Sequence, residues 1–342
     1  MDGIRIADRP VGPGRPVYII AEAGSNHNRN LPQARQLIDV AAEAGADAVK
    51  FQTYSADLLY SRRTPVFPGE GGKPWDIVRS CELPREWQAD LADNARERGI
   101  HFLSTPFDYQ AVDELDAVGV PAFKLASSEI NDVPLLKYAA AKGKPMIIST
   151  GMADLADIQE AVDAVRSTGN NDIVLLHCVA LYPTPPDQVN LLAMDTISRA
   201  FQLPTGYSDH TAGLAVPLAA VARGACVLEK HFTLDRRLPG PDHHYALEPQ
   251  ELRDLVQAVR EVEACLGRPE KKPSPGEEAK RTLSRRSIIA AADIPAGTGI
   301  TREMLVTKRP GTGIPPKFLD VVTGRTARVD IPFDTPLQWE MI

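Results

Sequence analysis

The chain has 342 residues, too many for one small core and enough for a large domain with a smaller one beside it. A hydrophobic fraction of 43% and a charged fraction of 24% are those of an ordinary soluble globular protein. The net charge of -7 argues against a general nucleic-acid binder, which would be basic, but leaves room for local clusters of lysine that hold small anions.

The first residues, Met1 to Arg9, carry several charges and no apolar run, so no signal peptide is expected. No stretch is apolar for long enough to span a bilayer. Cys81, Cys178, Cys226 and Cys265 form no CxxC or other ligand spacing and read as reduced thiols, as in a cytoplasmic protein.

In chain order, Val17 to Ala21 is a short apolar run followed by the polar loop Glu22 to Asn28, and Leu31 to Gly45 has helical periodicity ending at a glycine. Ala48 to Gln52 is a strand, and a long Pro/Gly-rich loop follows. Glu86 to Gly99 reads as helix, His101 to Thr105 as strand and Gln110 to Val118 as helix. Ala122 to Ala126, Pro145 to Thr150, Ile173 to His177, Pro204 to His210 and Ala225 to Phe232 continue the strands. Helices over Pro134 to Lys142, Leu155 to Ser167, Leu191 to Phe201, Ala215 to Arg223 and Pro249 to Leu266 follow them in turn. Eight strand–helix units in about 250 residues predict a closed α/β architecture, the (β/α)8 TIM barrel. A doubly wound open sheet would show a Gly-rich turn after its first strand, and Glu22-Ala23-Gly24-Ser25-Asn26 is not one. The barrel is expected over 1–266, a Pro- and charge-rich linker over 267–285, and a small β-rich domain over 286–342.

In such a barrel chemistry collects at the C-terminal strand ends. His210 and His231 end adjacent strands and are expected to form a two-histidine divalent-metal site with open positions for substrate. Asp209 and Glu229, flanking them, are candidates to orient the rings. Lys50 and Lys124 lie among apolar residues near strand ends, and a buried ammonium needs an anion. Either Glu22 or Glu129 answers them internally, or they serve with Thr105, Ser127, Ser149 and Ser208 as a cradle for a phosphate and a carboxylate. Glu22 is the acid/base candidate, or else a lysine's structural partner. The rim is also expected to hold Ser104 and His177. In the loop after the last strand, Asp242 is a candidate for binding substrate hydroxyls; His243 and His244 are either further ligands or solvated.

These motifs resemble the sialic acid synthase family, which includes the bacterial N-acetylneuraminate, legionaminate and pseudaminate synthases and spore-coat polysaccharide relatives. The matching segments include Ala21 to Asn28, Lys50 to Thr53, Ser104 to Asp108, Lys124 to Glu129, Ile148 to Met152, Tyr182 to Pro185, Ser208 to Thr211, Glu229 to Phe232, Pro239 to Asp242 and Lys308 to Gly313. The resemblance implies a TIM barrel followed by an antifreeze-like (SAF) domain, in a domain-swapped homodimer. It implies condensation of phosphoenolpyruvate with an N-acylated amino sugar (N-acetylmannosamine or a 2,4-diacetamido-trideoxyhexose) and water. The products are a nine-carbon 2-keto sugar acid and phosphate. Carried over by motif, Lys50, Thr105, Lys124, Ser127, Ser149 and Ser208 hold phosphoenolpyruvate, and His210 and His231 bind Mn²⁺ or Mg²⁺. Gln52, Tyr182 and Asp242 face the sugar, Arg309 reaches its acyl group from the other subunit, and Glu22 handles proton transfer. The chain departs from the family pattern at Val179-Ala180, at Arg29, where a glycine is usual, and in the loop 68–72. The alternatives are another metal-dependent aldolase or sugar-phosphate isomerase on the same barrel, and a non-catalytic carbohydrate- or ice-binding module suggested by the small domain alone.

Overall fold

A computed structural model describes residues 4–66 and 72–342 and divides the chain into two compact units, Met1–Gly267 and Arg268–Ile342. Most of the loop 68–72 therefore lies outside the described residues. The first unit opens with a hairpin that the sequence reading did not foresee, β1 (Ile4–Ile6) paired antiparallel with β2 (Arg9–Val11). Eight parallel strands follow: β3 (Tyr18–Glu22), β4 (Ala48–Thr53), β5 (His101–Pro106), β6 (Phe123–Leu125), β7 (Met146–Ser149), β8 (Ile173–Cys178), β9 (Thr205–Asp209) and β10 (Val227–His231). Their order is β5-β4-β3-β10-β9-β8-β7-β6, with β5 and β6 adjoining, so the barrel is nearly closed.

Side chains alternate between the two faces of a strand, and this period sorts the barrel into layers. Tyr18, Ile20, Ala48, Leu103, Ile147, Val174, Leu176 and Val227 share one parity and form a single apolar cluster inside the barrel. Ile4, Ile6 and Val11 of the hairpin complete that cluster, which plugs the N-terminal end. Residues of the opposite parity, such as Ile19, Val49, Phe51, Phe123, Leu175 and Leu228, pack outward against the helices. The helix Leu31–Glu43 shows why these segments are helical. Asn30 accepts from the Gln33 amide at its start, and Ala34, Leu37, Ile38 and Ala41 form one buried stripe at helical spacing. The last helix, Pro249–Leu266, opens with Glu248 and Glu251 in a capping box and buries Leu252, Leu255, Val256 and Val259.

The expected strands and helices of the barrel are present, with no end moved by more than two residues. The expected helix from Glu86 begins as a 3-10 turn, Arg85–Trp87, before Gln88–Glu97. The long loop after β4 carries two short helices, Ala56–Leu59 and Pro74–Cys81. The stretch read as a linker contains a helix, Pro275–Ser284, started by a Ser274–Glu277 capping box. Arg29, where the resemblance implies a glycine, has φ of +51°, as does Gly24 nearby. A glycine adopts that left-handed backbone freely, and Arg29 adopts it at some steric cost.

The second unit has one antiparallel ladder, β11 (Ser287–Ala290) with β12 (Leu305–Lys308), and single bridges Ile289↔Pro336, Ile294↔Ile331 and Gly299↔Thr326. Its core is aliphatic: Ile288, Ile294, Ile300, Leu305, Ile314, Ile331, Leu337 and Ile342 are buried together.

Gly206 fixes how closely β9 and β10 approach. A Cβ there would lie 2.3 Å from the Val227 carbonyl oxygen and 2.7 Å from Leu176 Cδ2. Gly206→Ala is therefore expected to destabilise the barrel by roughly 1–3 kcal/mol or more, read as a lowered denaturation midpoint.

Candidate active site

Strand register and parity assemble the site above the apolar plug. His231 pairs with Glu22 and Glu22 with Lys50 across β10, β3 and β4. Gln52 lies beside Thr105, and Ser208 beside both Cys178 and Glu229. The interior parity that placed Tyr18 and Ile20 in the plug also turns Glu22 inward, and it does the same for Lys50, Thr105, Lys124, Ser149, Ser208, Glu229 and His231.

The lower tier is an ion cluster. Lys50 Nζ lies 2.8 Å from Glu22 Oε2, 3.7 Å from Glu229 Oε2 and 3.1 Å from Thr105 Oγ1. Lys124 Nζ donates to Ser149 Oγ at 2.7 Å and to the Leu125 carbonyl at 2.9 Å, and lies 3.8 Å from Glu229 Oε1. Ser208 Oγ donates to Glu229 Oε1 at 3.0 Å, and Gln52 Nε2 to Glu22 Oε1 at 2.8 Å. Both lysines are at most 3% exposed, so neither ammonium finds bulk water and each depends on these partners. Burial works against the charge on Lys50, but Glu22 and Glu229 outweigh it and hold its pKa above the ordinary value. Burial lowers that of Lys124. The two carboxyls diverge. Burial, reinforced by Glu229, pushes Glu22 up to about 7 against the pull of Lys50. Glu229, set between both ammonium groups, is held below the usual carboxylate range despite its burial. Ser127, just beyond β6, accepts from the Gly151 amide at 2.9 Å.

The upper tier is aromatic. The His210 and His231 rings lie 5.3 Å apart between centroids and are inclined at 59°. His210 Nδ1 is 2.8 Å from the Val179 carbonyl oxygen and 3.8 Å from Cys178 Sγ. His231 Nδ1 is 3.3 Å from the Tyr245 hydroxyl, which donates to Asp242 Oδ1 at 3.1 Å. Both Nδ1 atoms are thus engaged, which leaves the two Nε2 atoms as the donors a metal would use. Burial lowers the His231 pKa to about 3, keeping its ring neutral. At His210 burial opposes the charge, but Cys178, the Val179 carbonyl and Glu229 outweigh it and raise its pKa. Tyr182 covers the pair, 4.2 Å from the His210 ring and 6.2 Å from that of His231. Asp242 Oδ2 accepts from the Ser25 amide at 3.1 Å. Gly24 leaves room for it: a Cβ there would meet Asp242 Oδ2 at 2.7 Å.

Several expectations need correction. Asp209 does not orient a histidine. Its parity is outward, and it forms a buried ion pair with Lys230 Nζ at 2.5 Å while accepting from the Thr211 amide. Glu229 points inward but sits one tier below the rings, bound to Ser208 and the lysines. The ring-orienting groups are the Val179 carbonyl and Tyr245, which the sequence reading missed. Ser104 and His177 also face outward. Ser104 Oγ meets Thr53 Oγ1 at 2.8 Å, and His177 Nε2 binds the Val189 carbonyl. His243 is a buried structural residue between Thr233 and Asn28, whereas His244 is exposed. Arg309 lies in the second unit, just after β12, and is exposed.

A cavity of about 480 Å³ opens beside the upper tier, lined by Ser25, Gln52, Tyr182, His231, Asp242, Ser128 and Glu129, with apolar residues beyond them. Glu129, one of the two acids expected to answer a buried lysine, is bonded by the Ser128 hydroxyl at 2.8 Å, and burial raises its carboxyl to about 7. Among the described residues no group of three or more His, Cys, Asp or Glu side chains is disposed to hold a metal, so only a site completed by substrate or water oxygens fits.

Fold and site together define a (β/α)8 enzyme whose barrel mouth combines a buried cluster of lysines, carboxyls and hydroxyls with a histidine pair. The chain belongs to the NeuB family, whose model matches residues 37–271, and a SAF domain matches residues 285–342. It is 44% identical to the N,N'-diacetyllegionaminic acid synthase of Legionella pneumophila over 98% of this chain and 97% of that one. Identity with the N-acetylneuraminate-9-phosphate synthase of Homo sapiens is 36%, over 98% of this chain and 95% of that one. Among solved structures it is similar to the spore coat polysaccharide biosynthesis protein SpsE of Bacillus subtilis, with 41% identity, 99% and 98% coverage and a TM-score of 0.69.

Removing the carboxylate between the two ammonium groups should expose the cradle's demand for an anion. Glu229→Ala is expected to cost roughly 3–5 kcal/mol of stability. Inorganic phosphate should raise the melting temperature of the variant more than that of the parent in a thermal scan.

Proposed function

We propose that the protein condenses phosphoenolpyruvate with an N-acylated amino sugar and water, giving a nine-carbon 2-keto sugar acid and inorganic phosphate. The observation that carries this reading is the two-tier mouth: two buried lysines ringed by Thr105, Ser149 and Ser208, with His210 and His231 directly above. The synthase names of the similar proteins support it.

Lys50 and Lys124, with Thr105, Ser127, Ser149 and Ser208, would hold the phosphate and carboxylate of phosphoenolpyruvate, exchanging part of their pairing with Glu22 and Glu229 for the substrate's oxygens. The donor set fits a divalent cation, Mn²⁺ or Mg²⁺, held by His210 and His231 through Nε2, which would polarise the sugar aldehyde as a Lewis acid. Tyr245 would fix the His231 ring and Asp242 together. Gln52, Tyr182 and Asp242 would position the sugar so that its carbonyl carbon meets the enol carbon. As that bond forms, positive charge develops on the phosphate-bearing carbon, water adds there, and the C–O bond to phosphate breaks. Glu22, titrating near 7 and bonded through Oε1 to Gln52, would hold or release the proton these steps require. We further propose a homodimer in which the SAF domain of one protomer covers the partner's barrel and brings Arg309 to the acyl group. All four cysteines are free, as suits a cytoplasmic enzyme, and among the described residues no helix is long and apolar enough to cross a membrane.

The direct test is phosphate release and product mass with phosphoenolpyruvate, Mn²⁺ and a panel of N-acyl amino sugars. Turnover is expected, from a particle of twice the chain mass by light scattering. Silence with every sugar would refute the reading. Tyr245→Phe should keep the fold and weaken Mn²⁺ binding by roughly 10–100-fold in calorimetry. Unchanged affinity would remove the proposed orienting role.

The turnover of the parent should follow one ionisation near pH 7, contributed by Glu22. Glu22→Gln should lose roughly 10²–10⁴-fold in rate and flatten that limb of the pH profile. A limb that survives the substitution would rule out Glu22 as the titrating group. Glu22 also bears on stability. Burial raises its folded pKa above the ordinary carboxylate value of 4.5, so its contribution favours the fold below about pH 4.5 and fades as pH rises toward 7.

A further inference from the structure

A second cavity, of about 490 Å³, shares no lining residue with the one beside His231. It lies between the ends of β7 and β8 and the first turns of the helices that follow them, Leu155–Arg166 and Leu192–Phe201. Leu155, Ile158, Ala193 and Ile197 give it an apolar body, and a few polar side chains interrupt them. That mixture is the ordinary lining of a site for a small organic molecule.

The outward parity that takes His177 out of the barrel mouth makes it part of this lining. The residue is only 7% exposed, and its ring packs on that of Tyr207 at 5.7 Å between centroids. Its Nε2 lies 2.8 Å from the Val189 carbonyl oxygen. A carbonyl can only accept, so Nε2 carries the hydrogen. Burial lowers the pKa of the ring and keeps it neutral, which leaves Nδ1 as an acceptor. Among the described residues no donor meets that nitrogen.

The lining also selects against charge. Asp154 is its acid, and among the described residues no lysine or arginine lines it. An anion there would find a carboxylate and no cation. Asp154 Oδ1 accepts from the Ala156 and Asp157 amides, so its charge is set against the helix N-terminus it caps rather than offered to a cation.

We infer that this cavity binds a small uncharged molecule with an apolar body and one O–H or N–H donor, of the phenol or indole kind. The donor meets His177 Nδ1, and the body replaces water over Leu155, Ile158, Ala193 and Ile197. Occupancy is felt in the barrel mouth, which makes the cavity an effector site. Cys178 lines it with Sγ 3.8 Å from His210 Nδ1, and the next residue, Val179, holds that same nitrogen through its carbonyl. Thr150 lines it as well, and Gly151 beside it donates to Ser127 Oγ.

The test adds phenol, toluene or benzoate to the full-length protein, isotope-labelled in its histidine ring nitrogens, and follows those nitrogens by magnetic resonance. Phenol is expected to bind, to move the Nδ1 signal of His177 as it gains a hydrogen bond, and to move the His210 signals with it. Toluene lacks the donor and should bind at least roughly tenfold more weakly. Benzoate, which brings an anion, should not bind. Ala193→Phe sets a ring in the cavity and should abolish the phenol response. Equal binding of phenol and toluene, a His177 signal unmoved at saturation, or a phenol response that survives in folded Ala193→Phe overturns the site. A His210 signal that stays fixed while that of His177 moves overturns the effector role. Each of these readings is made without turnover, so they stand or fall separately from the condensation.

Discussion

Two ammonium groups buried in the mouth of a barrel set the terms for everything around them. Lys50 and Lys124 are removed from water, and the interior below them is hydrocarbon closed off by the hairpin. A charge in that position survives only with close counter-charges and hydrogen-bond acceptors. Glu229 stands between the two, Glu22 holds Lys50 from the neighbouring strand, and Thr105 and Ser149 fill the remaining directions. The cluster is balanced with side chains alone, yet it stays at the open end of the barrel. Carboxylates near 3.7 Å from an ammonium make a loose arrangement, one that substrate oxygens can enter without leaving either lysine unpaired.

Much of this was legible before the structure because strands announce themselves by short apolar runs and barrel chemistry collects at their ends. Lys50, Thr105, Lys124, Ser149, Ser208, His210 and His231 were found that way, and they converge. The errors have a common physical source. Proximity to a strand end was weighed without the alternation of faces. In Leu228-Glu229-Lys230-His231, Glu229 and His231 share one face and Lys230 the other. Applied to Ser208-Asp209-His210, the same rule sends Asp209 outward, where it meets Lys230 rather than a histidine. Ser104 and His177 went astray for the same reason. The signal was present in the sequence and needed only the period of two.

Other parts lacked any local signal. The Val179 carbonyl orients His210, and a backbone oxygen carries no residue-type signature. Tyr245 reaches His231 because the loop after β10 folds back through a 3-10 turn, His243–Tyr245, and no periodicity foretells that return. The apolar wall of the cavity beside His231 comes from two short helices inside a Pro- and Gly-rich stretch that reads as loop, since helices of four and eight residues are too brief for a periodic pattern to stand out. The hairpin at the start was missed similarly, being two strands of three residues whose apolar members matter only once the barrel offers a hole to fill.

The two inward carboxyls show how one layer of side chains can separate two roles. Glu22 and Glu229 are comparably buried and share Lys50, so burial cannot distinguish them. Each receives one neutral side-chain hydrogen bond, so the difference is charge: Glu229 faces both lysines, whereas Glu22 faces one lysine and feels Glu229 as a like charge. Glu229 therefore remains ionised as the fixed counter-charge, and Glu22 is left near the middle of its titration at neutral pH. Such divergence between neighbouring acids is a way to assign structural and proton-handling work. Under the proposed reaction the asymmetry would sharpen on binding. An anionic substrate drawn to Lys50 would take up part of the positive charge that holds Glu22 ionised, and the proton affinity of Glu22 would rise. Binding and proton supply would then be coupled through a single lysine, which makes the pairing of Lys50 with Glu22 part of the chemistry as well as part of the fold.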